Sequence, residues 1–192
     1  MKKLFLYILT LLRRKEYDMF TKEQLGKIMP ALIEPKLSEY YTHLRTAMEE
    51  HKINTTARMA AFLAQLAHES ADLKYMEEIG TGEKYEGRKD LGNIYPGDGK
   101  RFKGRGPIQL TGRNNYKTFG NLLGVDLLNL PELAASPEYG FKIAAAYWTS
   151  KKLNAIADIG NFKEITRRIN GGYNGLSDRV RRHELAKQIL GG

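Results

Sequence analysis

The stretch NTTARMAAFLAQLAHES, residues 54–70, decides the fold. Asn54 and Thr55 are good helix caps, because a short side-chain oxygen accepts from an N–H that the first turn leaves unpaired. Behind them Met59, Phe62, Leu63 and Leu66 recur at three- and four-residue spacing, one apolar stripe of a helix. The spacing predicts a helix from about residue 54 to Ser70. Glu69 stands seven residues after Phe62 and three after Leu66, so its carboxyl continues the stripe. A carboxyl among apolar neighbours is disfavoured in its charged form and keeps its proton to higher pH. A general acid working near neutral pH needs that property. The other reading of the position is a helix-end glutamate, partly exposed and paired with a Lys or Arg.

Working outward, Thr21 and Gln24 match a capping box, with Phe20 and Leu25 as the hydrophobic staple. A helix is expected from about Lys22 to Ile33, with Pro30 kinking or ending it. Leu37, Tyr40, Tyr41, Leu44 and Met48 predict a second, to about His51. Downstream the composition changes: eight glycines and Pro96 fall between Gly80 and Gly106, the mark of a long loop. Ile108 and Leu110 then alternate with Gln109 and Thr111, as in a short half-buried strand that turns both polar side chains to one face. Helices return from about Leu133, with Pro137 to Lys151, Asn161 to Ile169 and Asp178 to Leu190 as the clear cases.

Of the 192 residues 42% are hydrophobic and 28% charged, which suits a globular chain and excludes a disordered one. With no cysteine there is no disulfide framework, thiolate metal site or thiol nucleophile. His43, His51, His68 and His183 are scattered and form no ligand pattern, so no metal and no cofactor are expected. There is no nucleophile elbow either. The net charge of +9 favours a polyanion: nucleic acid, an anionic membrane or an acidic wall polymer. No nucleic-acid module interleaves aromatics with the basic runs, so nucleic acid is not an expected partner.

Residues 1–18 are set apart as an N-terminal extension, and 19–192 as one domain. Lys2-Lys3 precede the apolar run Leu4 to Leu12, which Arg13-Arg14-Lys15 closes. That run is too short to span a bilayer and lacks a small-residue cleavage site. Two readings stay open: a targeting segment over 1–18, weakly signal-like or in weak contact with a membrane surface, or an upstream reading-frame extension before a natural start at Met19. A monomer is expected.

Glu78 follows Glu69 by nine residues. On one unbroken helix the two side chains would point to opposite faces. They can cooperate only if the helix ends between them, and Ser70-Ala71-Asp72 supplies turn-tolerant residues there. A helix ending near Ser70 would let Glu78 fold back across a cleft from Glu69. Glu77 and Glu83 read as solvated loop carboxylates, and Glu86 as a possible substrate contact.

Taken together, Phe62-Leu63-Ala64-Gln65, His68-Glu69-Ser70, the run Gly104 to Gly112 with Gly106-Pro107-Ile108-Gln109-Leu110-Thr111 inside it, Asn114-Asn115-Tyr116 and Ile169-Asn170-Gly171-Gly172 resemble glycoside hydrolase family 19. The resemblance spans about Phe20 to Leu190. It implies a mainly α, lysozyme-like two-lobed fold with a glycine-rich loop or short β-hairpin by the cleft. It also implies Glu69 as general acid, Glu78 as general base and Thr111 as a holder of the attacking water, in a single displacement with inversion. Gln109, Asn115, Tyr116 and Asn170 would line the sugar groove, while His68, beside Glu69, reads as a hydrogen-bonded structural residue or a substrate contact. Either Arg179 or Arg182 would support the catalytic carboxylates. Ala71-Asp72 stand where the family commonly has Gly-Gly, so a different turn after Glu69 is expected.

Three functions follow. The first is a peptidoglycan hydrolase of the phage endolysin type, passing from the host cytoplasm to the periplasm and wall. The second is a secreted chitinase on β-1,4-linked N-acetylglucosamine. The third is a non-catalytic glycan-binding or phage structural protein on the same fold.

Overall fold

The computed structural model describes residues 19–191, and the expectations for residues 1–18 lie outside it. Helices come in the order α1 (Lys22–Ile28), α2 (Lys36–Glu50), α3 (Thr56–Ser70), α4 (Asp98–Arg101), α5 (Arg113–Leu123), α6 (Pro137–Ser150), α7 (Leu153–Asp158), α8 (Phe162–Asn170) and α9 (Leu176–Ile189). Among the described residues no helix is long and apolar enough to cross a membrane.

The N-terminal capping box forms: Gln24 N–H donates to Thr21 Oγ1 at 3.2 Å, and Thr21 N–H to Gln24 Oε1 at 2.8 Å. Helix α1 stops at Ile28 rather than running to Ile33. Pro30 has no N–H to continue it and turns the preceding residue away from helical angles. Met29 takes φ −125° and ψ 75°.

Helix α3 is the axis of the larger lobe. Thr55 caps it, its hydroxyl accepting from Arg58 N–H at 3.3 Å. Its burial is wider than a stripe: every residue from Met59 to Ala67 is buried. The alanines on its other faces let neighbours approach closely, α9 packing against it most extensively. Phe62 meets Trp148 of α6 edge-to-face at 5.2 Å, a favoured aromatic geometry.

The apolar interior falls into two clusters. The larger joins α1, α2, α3 and α7–α9 around Phe62, Leu44 and Ile165. The smaller gathers Phe102, Leu110, Tyr116, Phe119 and Leu127. Helix α6 divides them, turning Phe141, Ala144 and Trp148 to the first and Ile143 and Ala146 to the second. This is the two-lobed, lysozyme-like helical arrangement that the resemblance implied.

The glycine-rich segment is a braced loop, not a hairpin. Only the isolated bridges Glu77–Arg105 and Arg105–Leu110 occur there. The strand expected over Ile108 to Thr111 is absent because Gln109 takes φ +53° and breaks the alternation. Buried Asp98 accepts from the N–H groups of Ile94 and Tyr95 and pairs with Arg113 at 2.5 Å. Arg113 holds that carboxyl below the usual range. Helix α5 was not foreseen; its N-terminal cap is Gly112, which offers no side-chain oxygen.

Helix α3 ends where the sequence reading required. Ala71, Asp72 and Leu73 take φ of +50°, +59° and +61° in succession. Ser70 Oγ accepts from Leu73 N–H at 2.8 Å, and Leu73 is fully buried as the anchor. The left-handed angles are those that glycine adopts freely, so Ala71-Asp72 form a turn of the kind that suits glycine. Left-handed backbone costs a residue with a Cβ about 1–2 kcal/mol, against a smaller entropic cost for glycine. Exposed Ala71→Gly is therefore expected to raise stability by about 0.5–1 kcal/mol, read as a rise in Tm of about 1–4 °C in a thermal melt.

Candidate active site

Between the lobes lies a cleft of about 360 Å³ lined by Glu69, Tyr85, Leu91, Gln109, Thr111, Asn115, Tyr147 and Asn170, with Ile108, Leu110 and Ile169 beneath. A larger surface hollow of about 510 Å³ lies by Tyr116, Gly120 and Leu127. Its lining holds Lys117 and Asp126 but neither Glu69 nor any other residue of the motifs around it except Tyr116, so the chemistry points to the smaller cleft, which Glu69 enters.

Glu69 enters the cleft from the end of α3, with its side chain 22% exposed. Its surroundings correct the expectation of an apolar pocket. Arg179 Nη2 donates to Glu69 Oε1 at 2.6 Å. The reading that placed an Arg beside a helix-end glutamate describes this contact. Tyr147 lies near enough that burial, with the Glu69 charge added, pushes its hydroxyl above the usual tyrosine range.

The open choice between the two arginines is resolved by geometry. Arg179, 2% exposed, reaches Glu69. Arg182 instead donates to Asp178 at 2.7 Å and to Asp72 in the turn after α3. His68 meets the same Asp178 at 2.7 Å, and a Cβ on Gly175 would lie 2.4 Å from its ring. His68, Asp178, Arg182 and Asp72 thus fasten the α3 turn to the start of α9. His68 serves there and not as a sugar contact.

Glu78 comes from the loop. Its N–H donates to Gly104 O at 2.9 Å, and Gly104 N–H donates to its Oε2 at 3.3 Å. Lys84 pairs with its Oε1 at 2.5 Å. Burial pushes this carboxyl up, but Lys84, Tyr85 and the Gly104 N–H together outweigh it and hold the group below the usual range. A carboxylate kept ionised suits a base.

A Cβ added at Gly104 would lie 2.8 Å from Gln109 Oε1, 3.2 Å from Glu78 Oε2 and 3.4 Å from Thr111 Oγ1. Glycine is needed there because three polar groups crowd that point. Since Gln109 and Thr111 also line the cleft with Glu69, this point joins the loop carboxylate to the helix carboxylate. The Thr111 hydroxyl donates to Gln109 O at 2.8 Å, leaving its oxygen as an acceptor. Asn115 braces the same wall, its Nδ2 donating to Thr111 O at 2.8 Å. Asn170 lines the opposite side, and its Nδ2 is buried without a hydrogen-bond partner among the described residues.

Two site expectations are corrected. Tyr116 is fully buried in the smaller lobe, where its hydroxyl donates to Lys103 O at 2.7 Å and burial raises it to about 12. It cannot line a sugar groove. Glu86 spends both carboxylate oxygens on the N–H groups of Gly97 and Gly99, each at 2.7 Å, and so clamps the loop. Trp148 is buried too, whereas Tyr85 is on the cleft wall. The sequence reading missed Tyr147, for which Pro137–Lys151 gave only a helix. It also missed the partnership of Gln65 with Arg179, although Gln65 stood in a quoted motif. Among the described residues no group of three or more His, Asp or Glu is arranged to hold a metal ion.

Comparison with known proteins puts this cleft in context. The family model for chitinase class I matches residues 43–160. A glycosyl hydrolase family 19 domain-containing protein of Haemophilus influenzae is 28% identical over 85% of this chain and 93% of that protein. An endochitinase of Arabidopsis thaliana is 42% identical over 59% of this chain, which spans only 39% of that protein. Chitinase C from Streptomyces griseus superposes with a TM-score of 0.74 at 28% identity, covering 89% of this chain and 76% of that one.

The cluster behind Glu69 carries a stability prediction. Burial raises the Asp178 carboxyl, but His68, Arg182 and Arg181 outweigh it and hold the group well below the usual range. A depressed folded value means stability that is present above the unfolded carboxylate value, about 3.9, and lost as pH falls through the folded one. Asp178→Asn is expected to cost about 1–3 kcal/mol at pH 7. Urea titrations of variant and parent should converge as pH drops below about 4; a gap independent of pH would refute the charge account.

Proposed function

The chain belongs to glycoside hydrolase family 19 and is a glycosidase, and from that premise we propose that it cleaves β-1,4 links of the peptidoglycan glycan strand with inversion. Glu69 is the general acid and Glu78 the general base. The observation that carries this reading is the meeting of Glu78, Gln109 and Thr111 around Gly104, on the wall that continues to Glu69. A base held ionised by Lys84 and Tyr85 takes a proton from water, and the Thr111 oxygen accepts that water's second hydrogen. The acid protonates the leaving sugar oxygen from the opposite side, as single displacement requires. Asn170, on the cleft lining, meets a sugar hydroxyl or acetamido group.

A net charge of +9 supports an anionic wall as the target. The enzyme then acts at the wall, released from the host cytoplasm as an endolysin. The second reading is a secreted chitinase, favoured by relatives named endochitinase and chitinase C.

Glu69→Gln and Glu78→Gln are each expected to lower turnover by roughly 10²–10⁴-fold while the fold is kept. Product masses from purified peptidoglycan and from chitin oligomers decide the substrate. Cleavage of chitin oligomers alone would overturn the peptidoglycan reading, and an unaffected Glu69→Gln would overturn the acid.

Proton NMR of fresh products should show the α-anomer first. Initial β-anomer would mean retention and a different use of the two carboxylates.

A further inference from the structure

Gln65 lies on α3 four residues before Glu69, so the two share a helix face one turn apart. It is 1% exposed and does not touch the cleft. Its Oε1 accepts from Arg179 Nη1, while its Nε2 donates to Thr166 Oγ1 at 3.0 Å. Arg179 therefore spans the helix: one arm holds Gln65 and the other holds Glu69 Oε1 at 2.6 Å. Its Nε reaches Asn174 O at 3.4 Å.

A guanidinium only donates, so the amide must present its oxygen to Arg179 and its NH₂ to Thr166. The Thr166 hydroxyl accepts that NH₂ and thereby fixes which way the amide faces. Thr166 belongs to α8, whose last residue, Asn170, lines the cleft. A guanidinium gripped by the Glu69 carboxylate alone could pivot about that contact. A second grip on its other arm sets both its plane and its distance from the carboxylate.

We propose that Gln65 and Thr166 form a positioning relay that orients Arg179 and, through it, the Glu69 carboxyl in the cleft. The inference rests on the reading of Glu69 as the acid. Neither residue contacts sugar; both act through Arg179. An acid displaced by a fraction of an ångström loses rate and not ground-state affinity, since misplacement of about 1 Å costs on the order of 10²-fold.

The test uses Gln65→Met, which keeps length without hydrogen bonds, and the pair Thr166→Val and Thr166→Ser, which removes or keeps the hydroxyl. Turnover is measured on whichever glycan the parent cleaves, alongside ¹⁵N NMR of the Arg179 guanidinium. The relay predicts a kcat loss of roughly 10–100-fold in Gln65→Met with KM within about twofold. Thr166→Val loses less, and Thr166→Ser keeps nearly parental kcat. The separate Nη signals of a hindered Arg179 side chain should merge in Gln65→Met and persist in Thr166→Ser.

Parental kcat in Gln65→Met and Thr166→Val would overturn the relay, as would a raised KM at constant kcat or unchanged Arg179 signals. If Gln65→Met does not fold, Thr166→Val against Thr166→Ser decides. If the parent cleaves no glycan, the reading of function fails, and the NMR comparison still decides the relay.

Discussion

A guanidinium buried to 2% exposure constrains everything around it. Arg179 cannot shed its charge at any working pH, and a buried charge must be paired and hydrogen-bonded. The chain meets that demand with Glu69, Gln65 and the Asn174 carbonyl. Two of these lie one turn apart on α3, so the pairing locks α9 along α3 in a single register. The fit around it is close: His68 occupies the space a side chain at position 175 would need. Burial of Arg179 therefore joins the core of the larger lobe to the chemistry of the cleft, and neither can shift without the other.

The two carboxylates are held by different physics. Glu69 is fixed by a helix end whose continuation is blocked by three left-handed residues. Glu78 is fixed by a loop whose backbone and side chain both close on Gly104. Such a loop stays in place only if its own polar groups are satisfied. Asp98, Glu86 and Asn93 do this from within, by accepting main-chain N–H groups or linking to α5. Glycine-rich composition marks this region as conformationally permissive, but the buried Asp98–Arg113 pair leaves it little freedom.

What the sequence made legible was whatever depends on local periodicity. The capping box at Thr21, the stripe from Met59 to Leu66 and the need for α3 to stop near Ser70 all follow from helical geometry. Expectations failed where the backbone departs from its local preference. Alternation from Ile108 to Thr111 imitates a strand, yet Gln109 takes a left-handed angle that no pattern of apolar residues announces. Helix α5 carries Tyr116, Phe119 and Leu123 at helical spacing, but it opens on Gly112, which has no side-chain oxygen to mark a helix start. Tyr116 departs from what the resemblance implied: it was to line the sugar groove, whereas its hydroxyl is satisfied inside the smaller lobe.

Long-range pairing was the part that no local pattern could encode. Arg179 and Glu69 are 110 residues apart, as are Arg182 and Asp72. Both arginines sit on one short helix face, and charge alone gives no ground for choosing between them. The choice is made by depth. Arg179 points into the core between α3 and α9, where only a carboxylate at the buried edge of the cleft can answer it. Arg182 lies nearer the surface and finds the aspartates of the turn and of its own helix. The expected apolar pocket around Glu69 gave way for the same reason. The stripe it continues ends at Leu66, and the next turn of α3 faces a guanidinium. A helix stripe fixes which face a carboxyl is on, but only the partner helix decides whether that face meets hydrocarbon or charge.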